Sequence, residues 1–187
     1  EGRGSVVTVE PGKVDALNEG KLVHVSGELK TAAPLSDPEF GITVNAVQLV
    51  RKVEMYQWEE EKREETRKET GGGETKVTTY RYTQKWVDHA IDSSRFKTPG
   101  GHQNPQFLYG RKSVVAQDAT LGAFRPTDNV LSRLPSSSPL PVDAALAPSI
   151  GAKLGKPVQV VDGVIYLAVD PKSPRLGDIR VSYSVAK

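Results

Sequence analysis

The sequence predicts a mainly β (α+β) fold, built on an antiparallel sheet or a partly open barrel, with a long protruding β-hairpin and two or three short helices. Three observations predict this class. Residues 44–88 alternate in side-chain character along two arms that are joined by Gly71-Gly72-Gly73. A second, shorter hairpin is predicted at 158–169, where Asp162-Gly163 matches a type I′ turn. No alternation of strands with helices points to a parallel sheet.

The long hairpin is predicted from a period of two in β-branched and aromatic residues. On the first arm, the apolar side chains divide between two faces, with Val47, Leu49, Val53 and Met55 on one and Val50, Tyr56 and Trp58 on the other. On the second arm, Tyr80, Tyr82 and Trp86 share a face. If the arms fold back about Gly72, Trp58 lies opposite Trp86, and such a cross-strand aromatic pair adds about 0.5–1 kcal/mol.

The charged run at 59–68 leaves two interpretations open. Its residues are mostly good helix formers, and Glu59/Arg63 and Glu64/Lys68 have the i,i+4 spacing of helical ion pairs. The run has no apolar face, however, and a short helix with nothing to bury is marginal in water. We therefore favour solvated strand extensions, with residues 59–75 as the protruding tip of the hairpin.

The remaining elements are shorter. Before the hairpin we expect strands at Val6–Val9 and 21–29 and a Pro/Gly-containing loop at 31–41. After it we expect a polar loop at 91–105, a strand at 112–117, an amphipathic helix at 127–134, a Ser/Pro-rich internal loop at 135–148, a short helix at 144–154 broken by Pro148 and Gly151, and a last alternating strand at 178–185.

Composition limits the class of protein. The chain has 187 residues, 37% of them hydrophobic and 6% aromatic, which fits a single domain with a lean core. A net charge of +2 gives no electrostatic case for nucleic acid as a partner. The absence of cysteine excludes disulfides and thiolate chemistry. No run reaches the ~18 apolar residues that a membrane helix needs.

No catalytic constellation is found in the sequence. His24, His89 and His102 are far apart and lack the spacing of zinc ligands, so no metal is expected. The glycines at 151–155 superficially resemble a phosphate loop, but Pro157 stands where Ser or Thr should bind magnesium. No Gly-x-Ser-x-Gly elbow is present. We therefore predict that the chain is not an enzyme and holds no cofactor.

Binding is the remaining class of function. The interaction candidates are the exposed-strand aromatics Tyr56, Trp58, Tyr80, Tyr82 and Trp86. Their interleaving with Arg81 and Lys85 is also typical of base-stacking surfaces, but packing against the protein's own core or across the hairpin is the favoured interpretation. An alternative site for a lipid headgroup or a glycan is the loop around His102 and Asn104, because ordered polar loops often carry function.

Five blocks of sequence, in order, are similar to one family. They are Asn18-Glu19-Gly20-Lys21-Leu22-Val23-His24-Val25-Ser26-Gly27, Leu35-Ser36-Asp37-Pro38-Glu39-Phe40-Gly41, Val53-Glu54-Met55-Tyr56-Gln57-Trp58, Ser94-Arg95-Phe96 with Gly101-His102-Gln103-Asn104-Pro105, and Gly177-Asp178-Ile179-Arg180-Val181-Ser182-Tyr183-Ser184. Together these blocks resemble the LUMA family, the transmembrane protein 43 family of four-pass membrane proteins. The Ser/Pro-rich stretch does not share the resemblance.

The resemblance implies a scaffold in membrane organisation rather than an enzyme. In such proteins one membrane helix precedes a large non-cytoplasmic domain and further helices follow it. This chain would be that domain, with both ends on the membrane-proximal side and with self-association and other membrane proteins as partners. It would lie in the lumen of the endoplasmic reticulum or nuclear envelope in a eukaryote. In a prokaryote, which the lack of cysteine and the compact loops favour, it would be periplasmic or extracellular.

Overall fold

The computed structural model describes residues 6–9, 22–25, 29–30, 33–117, 120–121 and 138–187, with side chains for 33–117 and 138–187. The fold is mainly β, as predicted, and its antiparallel sheets do not close into a barrel. The predicted amphipathic helix at 127–134 and the N-terminal end of the chain at 1–5 lie outside the described residues.

The described residues form thirteen strands, six of them only two or three residues long. The strands are β1 Val6–Val9, β2 Leu22–Val25, β3 Leu29–Lys30, β4 Leu35–Asp37, β5 Ile42–Val44, β6 Gln48–Lys68, β7 Glu74–Val87, β8 Lys112–Val115, β9 Thr120–Leu121, β10 Ser138–Leu140, β11 Gln159–Val161, β12 Val164–Leu167 and β13 Ile179–Ala186. One α-helix, α1, spans Ala147–Leu154, and 3₁₀ turns span Ser93–Arg95 and Ala144–Leu146.

The principal sheet has the strand order β11-β12-β13-β6-β7, with β10 also paired to β13 and β8 also paired to β6. β3 pairs with β9 and β4 with β5, both antiparallel, whereas β1 and β2 form a parallel pair that the sequence did not indicate. The chain divides into two compact units, one of residues 1–51, 111–143 and 182–187 and the other of residues 52–110 and 144–181. The organisation as a single domain stays a prediction.

The long hairpin is confirmed. β6 is a continuous strand of 21 residues, so the charged run at 59–68 is a strand extension and not a helix. Leu49, Val53 and Met55 are at most 2% exposed, which confirms the apolar face of the first arm. From Lys62 to Lys68 every side chain is exposed, because this part of β6 extends beyond the apolar core.

The register of the hairpin differs from the expected one. Trp86 pairs with Tyr56, and Trp58 pairs with Gln84, so the two tryptophans are not opposite each other. The arms fold about Gly71 instead of Gly72, because the turn between Lys68 and Glu74 has five residues. Moving the fold point by one residue moves the register by two, which keeps every side chain on its predicted face and changes only its partner.

The predicted loop at 31–41 is wrong in part. β4 and β5 form a small hairpin within and just beyond it, with Leu35 opposite Val44 and Asp37 opposite Ile42. Pro38 and Gly41 occupy its turn, where Gly41 adopts φ of +68°. Turn-forming residues therefore mark the bend of a hairpin here and not a strand-free loop.

A buried ion pair lies in the first unit. The guanidinium of Arg51 donates from Nη1 to both carboxylate oxygens of Asp37, at 3.1 and 2.9 Å, and to Glu39 Oε1 at 2.9 Å. The Tyr183 hydroxyl donates to Asp37 Oδ2 at 2.6 Å, and Lys112 Nζ lies 3.6 Å from Oδ1. Asp37 is 1% exposed and Arg51 4% exposed, so each charge depends on the other.

The network shifts two acid–base equilibria. Burial alone would lower the pKa of Arg51, but its hydrogen bonds to Glu39 and Asp37 raise the pKa overall. The pKa of the Tyr183 phenol is raised far above its ordinary value of 10.0, first because burial disfavours the phenolate and second because the hydroxyl donates to Asp37.

The second unit contains the predicted short hairpin and helix. Asp162 and Gly163 have φ of +51° and +77°, which confirms the type I′ turn between β11 and β12. The predicted break at Pro148 and Gly151 is wrong, because α1 runs through both. Pro148 sits in the first turn, where its missing N–H costs nothing, and a Cβ on Gly151 would lie 3.3 Å from the Lys156 carbonyl oxygen.

Removing the buried carboxylate should destabilise the protein strongly. Asp37→Ala leaves the buried Arg51 charge without its buried partner and with only the half-exposed Glu39, and we expect a loss of about 3–5 kcal/mol in the free energy of unfolding, measured by urea titration. Glu39→Ala is the matched control, because the Glu39 side chain is 49% exposed and its loss should cost less than about 1 kcal/mol. Equal losses for the two variants would contradict this account.

High pH should destabilise the protein through Tyr183. Its folded-state pKa lies above the unfolded value of 10.0, so its contribution is complete below pH 10 and is lost as the pH rises further. Above pH 10 we expect the free energy of unfolding to fall by about 1.4 kcal/mol per pH unit more steeply in the wild type than in Tyr183→Phe. Parallel pH curves for the two proteins would show that the phenol is not responsible.

Candidate functional site

Four of the five predicted aromatic residues lie in two ring clusters on one face of the hairpin. Even-numbered residues of β6 and β7 share this face, since side chains alternate along a strand and the register pairs even with even. Tyr56 and Trp86 belong to the first cluster, and Trp58 and Tyr82 belong to the second. Tyr80, the fifth residue, lies on the same face next to Tyr82 and nearer the tip of the hairpin; it is half-buried and opposite Lys62.

The first cluster is a row of side chains across four strands of the second unit. The Trp86 ring meets Tyr56 edge-on at 5.3 Å and Tyr166 of β12 edge-on at 6.0 Å, and Arg180 of β13 lies 4.6 Å above the Trp86 ring centre. Arg180 is also held by Glu54, through Nε at 2.9 Å and Nη2 at 3.2 Å. Burial alone would lower the pKa of Arg180, but the hydrogen bonds to Glu54 raise the pKa overall.

The second cluster is a stack around His102. The imidazole of His102 lies parallel to the Tyr82 ring at 3.9 Å and meets Trp58 edge-on at 4.8 Å, and Phe96 packs 5.6 Å from Tyr82. His102 Nδ1 lies 2.9 Å from the Thr98 carbonyl oxygen. Because a carbonyl can only accept, Nδ1 carries the proton in this arrangement.

Asn104 acts as a substitute strand partner for β6. Its Oδ1 accepts from the Trp58 amide at 2.6 Å, and its Nδ2 donates to the Trp58 carbonyl at 3.0 Å and to the Ile91 carbonyl at 3.2 Å. Its own amide donates to Ser93 Oγ at 3.0 Å. These contacts close the open edge of β6 at one residue and fix the loop that follows β7.

Gln57 is a positioning residue that the sequence analysis missed. Its side chain is fully buried, donates from Nε2 to the His89 carbonyl at 2.8 Å and accepts from the Ile91 amide at 3.1 Å. The signal was available, because period two places Gln57 on the same face as Val53 and Met55. A polar residue on a buried face needs a partner, and the loop backbone supplies it.

A carboxylate and a phenol anchor the same loop from the other side. Tyr82 donates its hydroxyl hydrogen to Glu60 Oε2 at 2.7 Å and accepts from the Thr98 amide at 3.0 Å. The same Glu60 oxygen accepts from the Lys97 amide at 2.6 Å. The Asn104 side chain and Nδ1 of His102 thus bind the protein's own backbone, and both residues position the loop.

Beyond these clusters, β6 and β7 carry cross-strand ion pairs on the opposite face. Arg81 Nη2 lies 2.6 Å from Glu61 Oε2, and Lys85 Nζ lies 3.1 Å from both Glu59 and Glu61. The hydrogen bonds from Lys85 and Arg81 lower the pKa of Glu61. Among the described residues, no group of His, Asp and Glu is arranged to hold a metal ion.

These features define the class: a mainly β protein with a charged hairpin extension and a loop clamped to its base. The family described as Transmembrane protein 43 matches residues 55–187. Transmembrane protein 43 of Rattus norvegicus and of Homo sapiens are each 34% identical over 98% of this chain and 45% of their own length. The Drosophila melanogaster homolog is 33% identical over 90% of this chain and 43% of its own length.

The chain therefore belongs to the Transmembrane protein 43 family, which confirms the resemblance. It spans less than half the length of these curated relatives, and no solved structure matches it. The family is named for a transmembrane protein and not for an enzymatic activity, which supports a membrane-associated protein. In the part of the chain that the structure describes, no helix is long and apolar enough to cross a bilayer.

Loss of the Asn104 side chain should free the loop and the β6 edge together. Asn104→Ala leaves both the N–H and the C=O of Trp58 without their partners, and we expect a cost of about 1–3 kcal/mol in stability. Faster hydrogen exchange at the Trp58 amide is the specific readout. Gln103→Ala is the matched control, because Gln103 is exposed and should exchange as the wild type does. An unchanged Trp58 exchange rate in Asn104→Ala would refute this role.

Proposed function

We propose that this chain is the non-cytoplasmic domain of a multi-pass membrane protein and acts as a scaffold, binding other proteins through its hairpin extension. The hairpin extension comprises Glu60–Lys68 of β6, the turn at 69–73 and Glu74–Tyr82 of β7. The observation that supports this function is that the extension is a regular two-stranded ribbon whose outer backbone edges have no partner strand among the described residues and whose β6 side chains are exposed at 62–68. Such edges are the usual docking element for an added strand.

Along a β-strand, the backbone N–H and C=O groups of successive residues point alternately to one side of the strand and to the other. The Tyr56 amide donates to the Asp178 carbonyl, the Gly177 amide donates to the Tyr56 carbonyl, and Trp58 is bound by Asn104. Even-numbered residues of β6 therefore point their N–H and C=O groups away from β7. From Glu60 to Lys68, within the described residues, no hydrogen bond closes this edge.

The alternative function, a site for a lipid headgroup or a glycan at the loop, has less support. Such a site needs polar groups that are available to a ligand. The amide of Asn104 is used by Trp58 and Ile91, and Nδ1 of His102 is used by Thr98. The two predicted loop residues thus serve the clamp, whereas the hairpin extension offers its edges to a partner.

Shortening the hairpin tests the proposal. Replacing residues 64–78 by Asn-Gly joins Arg63 to Thr79, a directly opposed pair, through a two-residue turn that suits a hairpin. In the complete protein in its membrane, we expect cross-linked complexes to fall to the mass of uncomplexed protein, because only residues 60–63 of the docking edge remain. A label on a cysteine introduced at Gly72, applied with a membrane-impermeant reagent, reports the side of the membrane.

The matched control changes the turn and keeps the edges. Replacing only the turn at 69–73 by another five-residue glycine-containing turn should leave the complexes at their original mass. Complexes of unchanged mass after the hairpin is shortened would refute the hairpin as the docking element. Labelling from the cytoplasmic side alone would refute the proposed location.

A further inference from the structure

The free edge of β6 has two well-defined ends. At one end Asn104 occupies the backbone groups of Trp58, so Glu60 is the first residue whose outward groups have no hydrogen-bond partner among the described residues. At the other end the strand stops at Lys68, where the turn begins with the Glu69 amide bonded to the Gly73 carbonyl. The free edge is therefore nine residues long, and its midpoint is Glu64.

The charges on this edge are antisymmetric about the same residue. Positions at equal distance on either side of Glu64 carry opposite charges in three cases, namely Glu60 with Lys68, Glu61 with Arg67, and Arg63 with Glu65. The fourth case is neutral on one side, because Lys62 is matched with Thr66. Six of the nine residues of the edge would therefore face an opposite charge if the edge paired with a copy of itself running in the reverse direction.

We propose, on the basis of the function proposed above, that two copies of this chain pair their β6 edges antiparallel about a two-fold axis at Glu64. Residues i and j of the two copies then face each other when i and j sum to 128, which pairs even with even. Because the outward backbone groups of β6 belong to even-numbered residues, this register aligns donors with acceptors. The result is a four-stranded ribbon, β7-β6 of one copy joined to β6-β7 of the other.

Neighbouring registers are disfavoured by charge. Centring the pair one residue earlier places Glu61 opposite Glu65, and centring it one residue later places Arg63 opposite Arg67 and Lys62 opposite Lys68. The outer edge of β7 offers no equivalent, since β7 has three basic residues and a single acidic one. A two-fold contact of this kind is self-complementary and closes at two copies.

One like-charged contact remains, at the axis itself. Glu64 faces Glu64 of the second copy, and its own strand neighbour Lys62 lies 3.3 Å away and offsets part of the repulsion. Glu64→Gln removes the like charge without changing the backbone. We therefore expect Glu64→Gln to tighten the dimer about threefold or more, since like charges directly opposed in a ladder are destabilising.

A cysteine at the axis gives the most direct test. Directly opposed residues in a hydrogen-bonded pair have Cα atoms about 5.5 Å apart, a distance that a disulfide spans. These 187 residues contain no cysteine, so Glu64→Cys in the complete protein, with any cysteine outside this chain replaced by serine, should give a disulfide-linked dimer when a mild oxidant is added in its membrane. Thr66→Cys is the matched control, since its two copies would be offset by about 13 Å along the strands and should not link.

Charge reversal provides a second, independent test. Arg63 and Glu65 lie opposite Thr79 and Val77 within the hairpin, so reversing either leaves the cross-strand ion pairs of the hairpin intact. Arg63→Glu alone and Glu65→Arg alone should each weaken the dimer about tenfold or more. In either variant, residue 63 of each copy faces a residue 65 of the same charge on the other copy, so two like-charged pairs form. Mixed together, the two variants should restore pairing, because the reversed position on each copy then faces its complement. Lys76→Glu, on the outer edge of β7, is the control and should have no effect.

The outcomes separate this inference from the function on which it rests. A dimer linked by Glu64→Cys, with rescue in the mixture of reversed variants, supports the two-fold contact. If shortening the hairpin reduces the complexes but Glu64→Cys stays monomeric, the hairpin docks a different partner and the two-fold contact is wrong. Equal linking by Thr66→Cys and Glu64→Cys, or variants that pair as well alone as in the mixture, would also overturn it.

Discussion

The antiparallel pairing of β6 with β7 is the interaction on which the rest of the second unit depends. Its register places Trp86 opposite Tyr56, within reach of both Arg180 and Tyr166. The same register places Tyr82 opposite Glu60, which lets the phenol and the carboxylate bind the loop together. The length of the turn at 69–73 sets this register. Gly71 and Gly72 have φ of +107° and +96°, values that residues other than glycine rarely adopt.

The loop that follows β7 is fixed by amide side chains as well as by apolar packing. Gln57 binds it from within the buried face of β6, and Asn104 binds back to the edge of the same strand. With only 6% aromatic residues the chain has few large rings to bury; here Trp58 and Tyr82 pack on His102, and Phe96 packs on Tyr82. Directional hydrogen bonds to backbone groups give the loop a single position where a small apolar contact alone would not.

Local patterns predicted the fold where the deciding contacts are local. Alternation identified β6, β7 and β13, and the Asp162-Gly163 dipeptide identified the turn between β11 and β12. The patterns did not predict partners, because these depend on turn length and on distant segments. Trp58 and Trp86 have the expected faces but not the expected partners. Gly151 is a helix breaker by propensity, yet it lies within α1, where a Cβ would make a tight contact of 3.3 Å with the Lys156 carbonyl oxygen.

The candidate residues show the same division. Period two correctly grouped Tyr56, Trp58, Tyr82 and Trp86 on shared faces, but the ring of His102 reaches Tyr82 from a separate loop. The buried network of the first unit was not foreseen, because Asp37 meets Arg51 across 14 residues of sequence and Tyr183 across 146. No sequence window contains all three, so only the folded chain shows why a carboxylate can be buried there.

An exposed strand edge is a hazard unless something limits what can pair with it. The usual protection is charge, and the free edge of β6 has eight charged residues among its nine. Charge of one sign would repel a second copy in every register, whereas the arrangement here disfavours the neighbouring registers and favours one in which most of the facing charges are opposite. Asn104 sets where this free segment starts and the glycine turn sets where it ends, so the loop clamp and the turn together place its midpoint at Glu64. The clamp that fixes the loop therefore also sets the length and the centre of the surface that the hairpin presents.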